Sequence, residues 1–125
     1  MANRQKMING VYKQLKHIFD SSEQSVYVYV DDINKVCNKK FASLLEYTSP
    51  DELAKVKESF PPAFVADKSQ HDLINAYQNA MEKMAASKLK VTWKTKSGKK
   101  VDTSVILVPI IYEGQAMALH FVSKV

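Results

Sequence analysis

One stretch near the end of the chain, residues 105–111, constrains the fold more than any other. Its sequence is Val-Ile-Leu-Val-Pro-Ile-Ile, which is apolar at both alternate sets of positions. Successive side chains of a β-strand point to opposite faces, so this strand presents apolar groups on both faces of its sheet. Both faces must then be covered. Helices predicted between the strands cover one face, and the other needs a separate amphipathic segment.

The start of the chain supplies such a segment. Residues 5–20 have the pattern of an amphipathic helix, with charged residues off the apolar stripe. The members of the stripe are Met7, Val11, Leu15, Ile18 and Phe19. This helix covers the second face of the sheet either in its own chain or in a second copy, and sequence alone does not separate the two. The same five residues are therefore our predicted dimer interface.

The middle of the chain alternates short strands and helices. Strands are predicted at residues 26–30 and 35–37, followed by a short helix at 41–46. Ser49 and Pro50 have the residue types of an N-cap and a first helical position, so another helix is expected to begin there. The pair Pro61-Pro62 is expected to end it.

A long helix and three strands complete the prediction. The helix is expected over 69–86, with Ser69 as its N-cap and an apolar stripe. The stripe consists of Leu73, Ile74, Tyr77, Met81 and Met84. Strands follow at 89–94, 101–112 and 115–122, joined by turns that contain Gly98 and Gly114.

Several of these signals occur together in an order that resembles a PAS domain. Residues 38–53 have the form N-x-x-F-x-x-L-L-x-Y-x-S-P-x-E-L, and residues 91–98, after the long helix, are Val-Thr-Trp-Lys-Thr-Lys-Ser-Gly. The resemblance covers about residues 22–123. It implies an α/β fold of the α+β type: a five-stranded antiparallel sheet with helices on one face and an N-terminal cap helix. We therefore expect a cap helix at 1–21 and a PAS core at 22–125.

The resemblance also implies a function. PAS domains sense ligands and pair signalling proteins, so we expect a sensory or regulatory domain that binds a small ligand or a partner protein and is not an enzyme. The alternative is a constitutive dimerisation module without a ligand. The residues expected to line a ligand cavity are Val28, Phe41, Leu45, Ile74, Tyr77, Met81 and Trp93. A packed core around Trp93 is the competing interpretation.

No cofactor is required by the sequence. Flavin photoreceptors of the PAS family have a reactive cysteine directly after the motif asparagine, where this chain has Lys39, so flavin is not expected. Cys37 precedes that asparagine and is expected to be a buried strand residue. Haem-binding relatives have a histidine on the long helix. His71 is therefore the outside candidate for a haem ligand, with a solvent-facing histidine as the alternative.

Composition limits the remaining classes. The chain has 125 residues, a net charge of +5 and a single cysteine, which excludes an internal disulfide. No apolar run approaches the ~20 residues of a membrane span. Lysines 94, 96, 99 and 100 alternate with Thr95 and Ser97 as on a solvated strand and turn. We expect a cytoplasmic protein, a homodimer, with neither nucleic acid nor membrane as partner.

Overall fold

Five antiparallel strands form one sheet in a computed structural model that describes residues 3–125. The strands are β1 (Ser25–Tyr29), β2 (Lys35–Cys37), β3 (Ser87–Lys94), β4 (Lys100–Tyr112) and β5 (Gln115–Lys124). The helices are α1 (Arg4–Gln14), α2 (Lys16–Ser21), α3 (Lys39–Leu44), α4 (Pro50–Ala54), α5 (Phe60–Phe64) and α6 (Asp67–Lys83). The spatial order of the strands is β2-β1-β5-β4-β3. This architecture confirms the predicted α+β fold class.

The sheet is apolar on both faces and is covered on both. Val105 and Leu107 of β4 belong to a core cluster with residues of α3 to α6, and we call this the inner face. Val108 and Ile110 of the same strand pack against a second cluster that includes Ile8 of α1, on the outer face. Alternation along one strand therefore supplies two separate cores.

The N-terminal segment covers the outer face of its own sheet. Val11 and Phe19 are buried there, at 1% and 2% exposure, with strand residues Val26 and Val28. Leu15 is only partly buried and lies between α1 and α2, so the predicted single helix is two. Residues 1 and 2 of the predicted segment 1–21 lie outside the described residues. Whether 1–21 and 22–125 are separable domains stays a prediction.

Most residues of the predicted dimer interface are therefore buried by contacts within their own chain. Met7, Val11 and Phe19 are buried and Leu15 packs against the outer core, whereas Ile18 is 42% exposed. A helix with one apolar stripe can bury it once, and here the sheet of the same chain takes it. A dimer through this segment stays a prediction.

Gly10 lets α1 approach the end of β4. A Cβ atom at position 10 would lie 3.0 Å from Cζ of Tyr112 and still closer to its hydroxyl oxygen. Real Cβ atoms do not accept such contacts, so a side chain here would displace either the tyrosine or the helix. The absence of a side chain thus leaves room for the ring of Tyr112 against α1.

The predicted boundaries of two helices are wrong. Pro61 and Pro62 do not end a helix but lie in the first turn of α5, where proline loses no hydrogen bond because those N–H groups have no partner within the helix. The long helix begins at Asp67 rather than at Ser69, and its N-cap is Ala66. Ser69 is buried instead, and its hydroxyl accepts a hydrogen bond from the N–H of Thr92 (2.9 Å).

The buried stripe of α6 is also narrower than predicted. Leu73 and Ala80 are buried, and Tyr77 and Met81 pack against the inner core. Ile74 and Met84 are exposed at 39% and 46%. The stripe is completed by small residues, Ala76 and Ala80, which a search for large apolar side chains overlooks.

Strand β3 forms one edge of the sheet. Leu89, Val91 and Trp93 face the inner core, as predicted, and lysines alternate with them. Lys88, Lys90 and Lys94 therefore lie on the opposite side of this edge strand.

Asn38 joins the N-terminal helices to the rest of the fold. Its buried side chain caps α3 by accepting from the N–H of Phe41 (3.0 Å), and the same oxygen accepts from the N–H of Val26 (3.1 Å). Its amide nitrogen donates to the carbonyl oxygens of Phe19 (3.2 Å) and Gln24 (3.0 Å). Four hydrogen bonds from one side chain thus connect α2, β1 and α3.

We predict that Asn38→Asp lowers the free energy of unfolding by about 3 kcal/mol, because it keeps the cap but loses both donors and leaves two carbonyl oxygens facing a carboxylate. Chemical denaturation at neutral pH measures the change. The matched control is Asn3→Asp, since Asn3 caps α1 by accepting from the N–H of Lys6 and an aspartate caps equally well. Equal stabilities of the two variants would contradict the role of Asn38.

Candidate functional site

A cavity of about 270 Å³ lies on the inner face, between the sheet and helices α5 and α6. The sheet contributes Tyr27 and Tyr29 of β1 and His120 of β5. The helices contribute, among others, Phe60 of α5 and Tyr77 of α6. Much of the wall is therefore aromatic.

The floor of the cavity is a pair of stacked rings. Tyr27 and His120 are directly opposite each other on β1 and β5, and each is 2% exposed. Their ring centroids are 3.9 Å apart with an interplanar angle of 7°. Phe60 stacks on Tyr27 as well, at 5.4 Å, and holds the phenol ring in place. Strand register and packing together fix both polar side chains at the cavity.

The polar atoms of this pair have no partner. In the part of the chain that the structure describes, Oη of Tyr27 and Nδ1 of His120 are the buried side-chain atoms without a hydrogen bond. Leaving a buried polar atom unpaired costs about 1–3 kcal/mol, so such atoms are uncommon in folded proteins. Here both occur at one cavity. A molecule in the cavity that shifts the rings enough to reach these atoms with a hydrogen-bonding group would satisfy them.

Both groups are electrically neutral near pH 7. Burial lowers the pKa of His120 to about 3, which leaves the imidazole uncharged; the backbone of Ala118 and Tyr27 opposes this only weakly, since neither forms a well-aligned hydrogen bond with Nδ1. Burial also raises the pKa of Tyr27 well above its ordinary value. The floor of the cavity therefore offers neutral donors and acceptors and no charge.

Asp32 marks the rim of the cavity. Its Oδ1 accepts hydrogen bonds from the hydroxyl of Tyr29 (2.8 Å) and from the N–H of Phe60 (2.9 Å). Burial, and then the hydrogen bond to this carboxylate, raise the pKa of Tyr29. The carboxylate thereby ties the end of β1 to the start of α5. Exposed residues Ser59, Ile74 and Gln78 complete the open side.

The neighbouring residue, Asp31, connects this loop to α1. Its Oδ2 lies 2.9 Å from Nη1 of Arg4, and its Oδ1 accepts from the N–H groups of Ile33 and Asn34. Burial acts to raise the pKa of Asp31, but the hydrogen bonds from Arg4 and Asn34 outweigh it and hold the pKa below its usual value. One loop thus contacts the cavity through Asp32 and the N-terminal helix through Asp31.

Of the seven predicted cavity residues, Ile74 and Tyr77 line the cavity. Phe41, Leu45 and Trp93 are fully buried in the inner core, and Met81 packs against that core. Val28 does not line the cavity and lies in the outer core under the N-terminal helices. Its neighbour Tyr27 faces the cavity instead, because adjacent strand residues point to opposite faces.

Trp93 is a core residue with its polar atom satisfied. Its ring is completely buried, and Nε1 donates to Oγ1 of Thr103 (2.7 Å), which donates in turn to the carbonyl oxygen of Val91 (2.8 Å). The competing interpretation of a packed core therefore holds for this residue.

The cofactor candidates lie away from the cavity. His71 is exposed and its Nε2 lies 3.0 Å from Nδ2 of Asn75 on the next turn of α6, as the solvent-facing alternative predicted. Cys37 is buried in β2, as predicted, and burial raises the pKa of its thiol to about 12. Within residues 3–125, His, Cys, Asp and Glu form no group of three able to hold a metal ion. Nor is any helix in this range long and apolar enough to span a membrane.

Tyr27 and His120 were missed by the sequence-based prediction. A signal existed for His120, which interrupts the otherwise apolar run 116–122 at the same alternate positions as Ala118 and Val122. A polar residue at an inward position needs a partner or a function. Tyr27 is adjacent to Val28, which was predicted to line the cavity. Only the register of β1 decides which of the two side chains faces the inner side of the sheet.

We predict a distinct pH dependence of stability from His120. As the pH falls below about 6.5, the unfolded chain binds a proton on this imidazole, whereas the folded protein does not until about pH 3. The free energy of unfolding should fall by about 1.4 kcal/mol per pH unit from this group alone. His120→Gln should therefore reduce the loss between pH 6.5 and 4.5 by about 2–3 kcal/mol in denaturant titrations.

The control for this measurement is His71→Gln, because that side chain is exposed in the folded protein. It should keep the pH profile of the unmodified protein. An unchanged profile in His120→Gln would show that the buried imidazole does not resist protonation.

No protein-family model matches the sequence, and no curated protein sequence matches it. Solved structures do match in fold. The PAS domain of an HTR-like protein from Haloarcula marismortui is 19% identical, with a TM-score of 0.66 and 98% of each chain covered. A PAS domain from a two-component sensor histidine kinase is 14% identical, with a TM-score of 0.69 and 94% and 99% coverage of this chain and that chain.

A third similar structure is the PAS domain of a protein from Colwellia psychrerythraea. It is 17% identical, with a TM-score of 0.71, and covers 92% of this chain and 97% of that chain. All three likenesses cover more than nine-tenths of the chain. The chain therefore has the PAS fold.

Proposed function

We propose that this protein is a sensory or regulatory domain that binds a small molecule in the cavity between the sheet and helices α5 and α6. The observation that carries the proposal is the pair of buried, unpartnered atoms, Oη of Tyr27 and Nδ1 of His120, at that cavity. A fold that served only as a docking module would have no reason to keep two such atoms together. The PAS domain from the sensor histidine kinase shares this fold, which is consistent with a sensory role.

The rim of the cavity suggests how occupancy is communicated. A molecule that displaces the hydroxyl of Tyr29 from Asp32 changes the loop that also carries Asp31. Asp31 pairs with Arg4 in the first turn of α1, so the change reaches the N-terminal helix through two adjacent residues. The exposed ion pair itself contributes little to stability, about 0–1 kcal/mol, which allows it to break at low cost.

We predict that a tryptophan at position 74 closes the cavity. Ile74 lines it and is 39% exposed, so Ile74→Trp places a larger ring at the open side without disturbing the buried core. In ligand-observed NMR with a mixed-charge set of small fragments, the unmodified protein should give binding signals that Ile74→Trp loses. Asn79→Trp, at an exposed position on the same helix away from this cavity, should keep them. Identical signals in both variants would place binding elsewhere.

A homodimer through the outer face is the second candidate. Ile106 of β4 lies on the outer face, because it alternates with the inward-facing Val105 and Leu107. It pairs with Phe121 of β5 and remains 41% exposed. Ile18 of α2 is similarly exposed. These are apolar groups that the N-terminal helices leave uncovered, and a second copy of the chain would bury them.

We expect Ile106→Glu to convert a dimer to a monomer, because a charge at the centre of an apolar contact is costly to bury. Light scattering coupled to size exclusion gives the mass. Ile111→Glu is the control. Ile111 lies near the end of the same strand, on the side of the inner face, and is already 62% exposed to solvent. A monomeric unmodified protein at high concentration would remove the dimer from consideration.

A further inference from the structure

The cavity has a chemical character that restricts what it can bind, and this inference rests on the proposed function. Three features bear on it: the shape of the walls, the neutral polar pair at the floor, and the distribution of charge. Each is a property of residues already described.

The walls favour a small, flat molecule. Tyr27, Tyr29, Phe60 and Tyr77 surround the space, and Tyr29 meets both Phe60 and Tyr77 edge to face, at 5.2 and 5.4 Å. Aromatic walls gain most from stacking and edge contacts with another planar ring. At about 270 Å³ the cavity is slightly smaller than the ~300–1,000 Å³ of pockets for drug-sized ligands. A single ring system with few substituents fits these dimensions.

The floor favours a hydrogen-bonding group on that ring. A phenol hydroxyl both donates and accepts, and a neutral imidazole offers either an N–H or a bare nitrogen at Nδ1. The two rings are stacked with their centroids 3.9 Å apart, so both polar side chains belong to the same part of the cavity wall. A purely apolar ring would leave both atoms unpaired.

The charge distribution disfavours an anion. Among the described residues that line the cavity, the charged side chain is Asp32, which is acidic. Lys35, the first residue of β2, is committed elsewhere: its Nζ donates to the carbonyl oxygens of Asp32, of Val56 (2.7 Å) and of Ala54 at the end of α4. Arg4 lies close enough for its charge to act on Tyr77, but it is paired with Asp31. A carboxylate or phosphate in the cavity would therefore be desolvated without a free cationic partner.

We propose that the cavity binds a small, uncharged aromatic molecule that carries a hydrogen-bonding substituent such as an amide or hydroxyl, held by Oη of Tyr27 and Nδ1 of His120 against the ring of Phe60.

Three probes of similar size test the class directly: benzamide, which is neutral and polar; toluene, which is neutral and apolar; and benzoate, which is anionic. Dissociation constants come from NMR titration of the full chain. Benzamide should bind at least tenfold more tightly than toluene, and benzoate more weakly than either. In protein labelled with ¹⁵N-histidine, benzamide should shift the Nδ1 resonance of His120, whereas toluene should leave it nearly unchanged.

Tyr27→Phe tests the hydrogen bond from Oη of Tyr27. It keeps the ring and removes only the unpartnered hydroxyl, so the fold is retained. It should weaken benzamide binding about tenfold and leave toluene binding unchanged, as expected for the loss of about 1.4 kcal/mol from one hydrogen bond. Tyr12→Phe, in α1 on the outer face, is the matched control and should bind benzamide like the unmodified protein.

The outcomes separate this inference from the proposed function. Toluene binding as tightly as benzamide, benzoate binding more tightly than benzamide, or benzamide binding unaffected by Tyr27→Phe would each overturn the proposed ligand class while leaving the cavity a binding site. If none of the three probes binds at millimolar concentration, the proposed function fails and the ligand class fails with it.

Discussion

The fold depends on one buried amide. The sheet of this protein is apolar on both faces, so helices from two distant parts of the sequence must cover it, and Asn38 is where those two covers meet. Its side chain bonds to the end of α2, the start of β1 and the first turn of α3. A carboxylate can only accept and an ammonium can only donate, so an amide is suited to a junction that requires both.

The polar side chains at the cavity are not fully hydrogen-bonded in the way that Asn38 is. Everywhere else in the described inner core the polar atoms are paired, as Trp93 is with Thr103 and Ser69 is with the backbone of Thr92. Tyr27 and His120 depart from that rule side by side. Sequences that fold well are consistent at every level, and departures concentrate where function requires them. The unpaired atoms therefore carry more information about function than the well-packed aromatic residues around them.

Sequence patterns predicted the order of strands and helices well because periodicity and turn chemistry are local. The run 105–111 required two covers, and the structure has two; Ser49 and Pro50 began a helix as their types predict. The site was harder, since it depends on which face each strand residue takes. One step in register separates Val28 from Tyr27. The prediction for α6 favoured large apolar residues such as Met84, which is exposed, over Ala80, which is buried. His120 was visible in the sequence as a polar residue within an apolar run, but the sequence did not show which residue lies opposite it.

The lysines of β3 bear on how this protein stays in solution. An edge strand offers unpaired backbone groups to any other extended chain, and in β3 only the end near Thr92 is covered, by Ala66 and Ser69. Lys88, Lys90 and Lys94 place like charges beside one another wherever two such edges approach in register. At the other margin β2 has only three residues, too few to seed growth. Sheet-to-sheet aggregation is thus opposed at both margins, and replacing these lysines by neutral residues would expose the chain to fibril formation.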